Sequence, residues 1–182
     1  MSTERWEIDS SHSSVHFSVR HLVIAKVRGT FARWSGRVHA PAGDFSQATV
    51  AVTIDASSIN TGVDQRDAHL KSPDFFDVAQ YPELRFVSRR VEPRSIAEID
   101  VIGDLTIKGT TREVVLRVEQ HGQAKDPWGN VRAAFTAKTS IDRRDFGLTW
   151  NQALETGGVM VGDRVDIEAE IEAVQQVEAQ VA

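Results

Sequence analysis

His12 and His16 are the first residues whose type and spacing invite a chemical reading, since two imidazoles four apart on one helix face can hold zinc. Here the neighbouring apolar residues Val15, Phe17 and Val19 alternate, so the segment reads as extended and the two rings are not brought together. No His-Glu-x-x-His motif occurs, and the absence of cysteine removes thiolate metal sites, disulfides and a cysteine nucleophile. The carboxylates near His69, Asp67 among them, could serve as acid and base. The chain adds no nucleophile elbow, phosphate loop or cofactor fingerprint to them. An acid/base enzyme is therefore the minor reading, and the main expectation is a protein that is not an enzyme. His21 ends a strand and is followed by Lys26 and Arg28. A histidine or arginine there could hydrogen-bond a carbonyl oxygen or pair with an anion, and it could equally satisfy backbone groups at the strand end. Asp67 and His69, two apart, do not share a helix face. They either cap or pin a lid, or touch a ligand. The Arg143-Arg144 pair is compatible with a small anion.

Strands must position these side chains, because apolar residues recur at every second place and no comparable stretch shows a helical period. Val165, Ile167, Ala169, Ile171 and Ala173 alternate with Asp166, Glu168, Glu170 and Glu172, giving one dry face and one charged face. The same alternation runs through Val15, Phe17, Val19 and His21, with His16, Ser18 and Arg20 facing the other way. It recurs in Ala48 to Ile54, in Leu84 and Phe86, in Ile99 to Ile107, in Val114 to Val118 and in Val131 to Ala137. Gly29 and Phe31 lie on one parity but Trp34, Gly36 and Val38 on the other, which predicts a β-bulge near Ala32-Arg33. Lys108-Gly109 and Asp126 to Asn130 carry the residues that tight antiparallel connections need. Residues 57–82 are too long for a plain hairpin loop. Residues 64–71 predict a short helix, with Thr61 or Asp64 as cap, Pro73 as stop, and Phe75 and Phe76 next to it over a barrel mouth. A second irregular stretch, 141–162, holds Phe146 and Trp150, and residues 175–182 read as a polar tail that frays.

A length of 182 residues predicts one domain, residues 1–174. No apolar run reaches the ~20 residues that span a bilayer as a helix. Net charge of -5 argues against a nucleic-acid backbone as partner. Met1 to Ile8 lacks the basic and apolar regions of a secretory signal, so the expected location is the cytoplasm. Short strands joined by hairpins suit a sandwich or an up-and-down barrel, and eight strands enclose a space that side chains or one elongated ligand can fill. The inward set mixes Phe17, Phe31, Phe86 and Phe135 with Gly29, Ala48, Gly103, Ala133, Ala137, Ala169 and Ala173. Those small residues either leave a cavity or match a tapered core.

Several segments together resemble one family: 14–22 (Ser-Val-His-Phe-Ser-Val-Arg-His-Leu), Gly29-Thr30-Phe31 with Gly36, 64–70 (Asp-Gln-Arg-Asp-Ala-His-Leu) with Asp74-Phe75-Phe76 and Tyr81-Pro82, 103–109 (Gly-Asp-Leu-Thr-Ile-Lys-Gly), and 142–147 (Asp-Arg-Arg-Asp-Phe-Gly). Over residue 6 to about residue 174 the chain is similar to the YceI-like family of polyisoprenoid-binding proteins. That resemblance implies an all-β, antiparallel, about eight-stranded lipocalin-like barrel with a short helix and loops over one end. Its interior would hold a polyisoprenoid, an isoprenoid quinone or another long amphiphile, the protein acting as a non-catalytic carrier. The residues expected to meet the ligand tail are Phe17, Val19, Phe31, Trp34, Val52, Ile54, Phe75, Phe76, Phe86, Leu105, Ala133, Phe135, Phe146 and Trp150. Those expected at the head group are His21, Arg28, Asp67 and His69. No cofactor or metal is expected. Many relatives are exported through a signal peptide, a feature not found here. A homodimer and transient membrane contact are compatible with this reading, and a packed barrel serving as an interaction module is the main alternative to it.

Overall fold

The computed structural model describes residues 3–177. Alternation becomes eleven strand segments: β1 (Thr3–Ile8), β2 (Ser14–His21), β3 (Ala25–Phe31), β4 (Trp34–Pro41), β5 (Thr49–Asp55), β6 (Ile59–Asn60), β7 (Glu83–Pro93), β8 (Glu98–Ile107), β9 (Thr110–Lys125), β10 (Val131–Asp142) and β11 (Val161–Gln176). One helix, α1 (Asp64–Lys71), covers the segment expected to be helical. The order β1-β4-β5-β7-β8-β9-β10-β11 closes on itself through β1 and β11, with Trp6 opposite Gln175 and Ile8 opposite Ala173. The result is the closed eight-stranded antiparallel barrel expected, a topology that leaves few strand edges.

Eleven segments make eight staves because three staves are interrupted. β2 continues β1 along β11, with Phe17 opposite Ile167 and Ser14 opposite Glu170. β3 and β4 run antiparallel to that pair, and β6 extends β5 to reach Phe31. At 32–33, where a bulge was expected, the strand stops instead. The Ala32 N–H donates to the Ser58 carbonyl at 3.1 Å, and the Asp55 N–H donates to the Arg33 carbonyl at 2.9 Å. The Arg33 guanidinium then ties Asp55 and Ser57 together. The break still performs the parity change, since Phe31 and Val38 are both buried. Bulges occur elsewhere. Between Ser88 and Arg90 the register with β8 shifts, and the Ser88 hydroxyl accepts the Val50 N–H at 2.8 Å. The tight turns follow their chemistry: Lys108 and Gly109 both adopt positive φ, and the Asp126 carboxylate accepts the N–H groups of Trp128 and Asn130.

One end of the barrel is closed by aromatic rings. Phe45, on a single 3-10 turn after β4, lies with its ring centroid 4.9 Å from Phe135 and 5.3 Å from a fully buried Trp6. Ala40, Ala133 and Ala173 are buried with them. At the other end lie the β2–β3 turn, α1 and residues 147–160. Neither Thr61 nor Asp64 caps α1. Val63 is the N-cap residue and offers no side-chain bond, while Asp67 reaches back to accept the Thr61 N–H at 2.9 Å and the Thr61 hydroxyl. Arg66 donates to the same threonine. At the C-terminal side β11 runs on to Gln176, opposite Arg5, so the expected tail begins later than residue 175. Residues 178–182 of that tail lie outside the described residues.

Candidate functional site

The barrel encloses a cavity of about 670 Å³. Its walls are the inward parities of the strands, and thirteen of the fourteen expected tail residues line it: Phe17, Val19, Phe31, Trp34, Val52, Ile54, Phe75, Phe76, Phe86, Leu105, Phe135, Phe146 and Trp150. Ala133 does not. It shares the parity of Phe135 but sits beyond the Phe45 ring, 2 % exposed, packed on the far side of the aromatic floor.

Of the small inward residues, Ala48, Ala137 and Ala169 line the cavity as their size suggested, but the glycines do not open it. A Cβ on Gly29 would stand 2.3 Å from Phe17 Cζ, and one on Gly103 would stand 2.7 Å from Phe86 Cζ and 2.5 Å from the Val87 carbonyl oxygen. Each glycine receives a ring from the adjacent strand, so the large side chains lie along the wall instead of across the lumen. Ala133 and Ala173 belong to the floor. The remaining volume lies between the folded-back rings and the lining alanines.

At the mouth the lining turns polar. His21 and His69 line the cavity as expected, joined by Arg20, Thr61, Gln65, Arg66 and Gln152. Arg20 and His16 were both assigned to the outward face by parity, yet both are among the lining residues. At the last turn of a strand, a long flexible side chain can swing over the rim, which a period-two count does not register. Arg28 and Asp67 are not among the lining residues, so of the four residues expected at a head group only His21 and His69 reach the cavity. Arg28 pairs in register with Ser18 on the outer face, and Asp67 spends its carboxylate on Thr61. His69 Nε2 lies 2.8 Å from the Asp74 carboxylate, and its ring packs edge-on against Trp150 at 4.6 Å and Phe75 at 5.1 Å. It joins the lid to the wall. Among the described residues, no aspartate or glutamate lines the cavity. Rim cations facing an apolar lumen favour a neutral or anionic head group over a cationic one.

Arg143 carries a structural duty that its sequence neighbourhood hid. Its guanidinium, 5 % exposed, donates to the carbonyls of Gly162, Leu148, Trp150 and Val161. Burial pushes its pKa down, and an arginine stays charged regardless. Those four bonds hold the 147–162 stretch, and with it Leu148 and Trp150, against the mouth. Arg144 turns away to Asp142, whose carboxyl that hydrogen bond lowers to about 2. Both members of the arginine pair are thus engaged within the protein rather than poised for a small anion. His12 and His16 do not converge either, and His12 instead contacts Asp9 at 2.8 Å. Asp9, His12 and Glu172 could converge on a cation, but Arg132 Nη1 already donates to Asp9 and Glu172 and serves as one.

A closed antiparallel barrel with a blind apolar lumen and a polar rim defines a lipocalin-like binding barrel. The YceI-like domain family model matches residues 6–173, and the chain belongs to that family. UPF0312 protein SAB2563 of Staphylococcus aureus is 42% identical over 165 residues, covering 90% of this chain and 94% of that one. Among solved structures, the YceI protein of Campylobacter jejuni is 30% identical over 87% of this chain and 90% of its own, with a TM-score of 0.73. Burkholderia cenocepacia BcnA, 24% identical, covers 91% of this chain and 98% of its own with a TM-score of 0.79. A polyisoprenoid binding domain from Saccharophagus degradans, 16% identical, covers 94% and 98% with a TM-score of 0.68. These last two share the fold.

Proposed function

We propose that the protein binds and carries one long-chain amphiphile, an isoprenoid lipid or isoprenoid quinone, tail inward and head group at the Arg20, His21, Arg66 and His69 rim. The observation that carries this reading is the blind apolar cavity of about 670 Å³ whose lining holds cations and, among the described residues, no carboxylate. The polyisoprenoid binding domain of Saccharophagus degradans, built on the same fold, supports the choice of ligand class. At about 30 Å³ per water-sized group, the lumen accommodates roughly twenty such groups. Enclosing twenty methylene-sized groups from water is worth roughly 16 kcal/mol at ~0.8 kcal/mol each, inside the practical ceiling for noncovalent affinity. A ligand leaving a membrane gains almost none of that, because its tail is already dry. Selection then falls to lumen volume and rim chemistry.

The test is organic extraction of the natively purified protein followed by mass spectrometry. The expected result is one amphiphile per chain with a prenyl tail and a neutral or anionic head. Protein that yields no lipid, and takes up none from a mixed lipid extract, would overturn the proposal.

A further inference from the structure

The turn between β2 and β3 exposes three consecutive large apolar residues: Leu22 at 39%, Val23 at 73% and Ile24 at 84%. Two of them are held at positive φ, Leu22 at 53° and Val23 at 66°. For a β-branched residue this is a strained conformation that glycine or asparagine would relieve. The chain thus retains, at a tight turn, side chains that neither water nor the backbone favours. The turn also stands at the rim. His21 and Arg20 line the cavity mouth, the Leu22 N–H donates to the Met160 carbonyl at 2.9 Å, and the exposed Val159 and Val63 flank the opening.

The charge on the hairpin itself has one sign. From Ser10 to Gly43 the chain carries five lysine and arginine residues and no aspartate or glutamate, although its net charge is -5. Arg20, Lys26 and Arg28 belong to the hairpin itself. Asp166, on β11 opposite Ser18, is already engaged by Ser140 and Arg164. The outer edge of β3 is open as well. β6 meets it only at Thr30 and Phe31, so Ala25 to Gly29 have no strand on that side among the described residues. A second copy is disfavoured there, because two β3 edges paired antiparallel would set Lys26 and Arg28 against the same cations of the partner.

We propose that the β2–β3 tip docks this protein on an anionic lipid surface, Leu22, Val23 and Ile24 entering the interfacial zone while Arg20, Lys26 and Arg28 pair with lipid phosphates. Apolar residues flanked by cations have the chemistry of an interfacial anchor. Docking by this tip brings the cavity mouth to the bilayer, so a tail could pass from lipid to lumen without crossing water. Only that purpose rests on the lipid-carrier reading; the docking itself stands on the hairpin.

The test is co-sedimentation of the full chain with phosphatidylcholine vesicles, with and without phosphatidylglycerol, at low and high salt. Wild type is expected to bind the anionic vesicles and to leave them as salt rises. Lys26→Gln with Arg28→Gln should weaken binding roughly thirtyfold, at about fivefold per cation. Val23→Gly should melt no lower than wild type, since it relieves the turn, yet lose vesicle binding. No binding by wild type, or full binding by Val23→Gly, overturns the proposal. So does a tip that governs only a monomer–dimer equilibrium by light scattering, which would make it a contact between copies. Extracting each preparation separates the two readings: absence of lipid from all of them counts against carriage alone, whereas vesicle binding reports docking alone.

Discussion

Phe135 and Ala133 stand two residues apart on the same face of β10, and the Phe45 ring makes them different. Phe135 looks into the lumen and Ala133 into the floor. Phe135→Leu should therefore lengthen the tails that copurify, read by mass spectrometry, because it deepens the lumen beside Phe45. Ala133→Val should leave the lipid profile unchanged and lower stability by about 1–3 kcal/mol, since it overpacks a site with no room. A denaturant melt checks the second half. Parity was enough to place the nine expected lining residues that lie on strands, because inward and outward are decided by counting, whereas Phe75, Phe76, Phe146 and Trp150 lie outside the strands. It could not separate Phe135 from Ala133, since a floor is made by a residue, Phe45, distant in sequence. Nor could it find the Arg143 clasp, whose four acceptors are backbone carbonyls and leave no mark on residue type.

Between elements, the closed end is tied by one arginine. Arg132 on β10 donates to Asp9 in the β1–β2 break, Asp126 in the β9–β10 turn and Glu172 on β11. Hydrogen bonds from Ser11, Arg132 and His12 hold the Asp9 carboxyl well below the usual range, and those from Asn130 and Arg132 do the same for Asp126. Depressed folded values mean that the contribution is complete above the ordinary carboxylate range and is lost as pH falls through the folded values. Melting temperature should stay level from neutrality to about pH 4 and decline below it. In Arg132→Met that acid decline should be shallower, starting from a lower plateau. Turns and strands were legible because glycine, asparagine and alternation report local conformation. The broken staves were less so: a parity switch at 32–33 reads equally as bulge or as break. What decides is Ser58 and Asp55, more than twenty residues away, which offer the freed backbone groups other partners.

At the scale of the whole molecule, closure was legible from family motifs more than from pattern, since alternation suits a sandwich as well as a barrel. Closure also couples contents to stability: a ligand that binds only the folded barrel adds to its stability, in the manner of any folded-state ligand. Stripping bound lipid should lower the melting temperature without changing far-ultraviolet dichroism, and adding the extracted lipid back should restore it.

The Trp6, Phe45 and Phe135 floor gives the barrel the geometry of a test tube rather than a pipe. Whatever enters tail first must back out by the same route, and an incoming molecule has no way to push the resident through. Exchange is then governed by spontaneous departure, so its rate should not rise with the concentration of competitor. Cargo would turn over on the protein's own clock unless something at the rim draws it out.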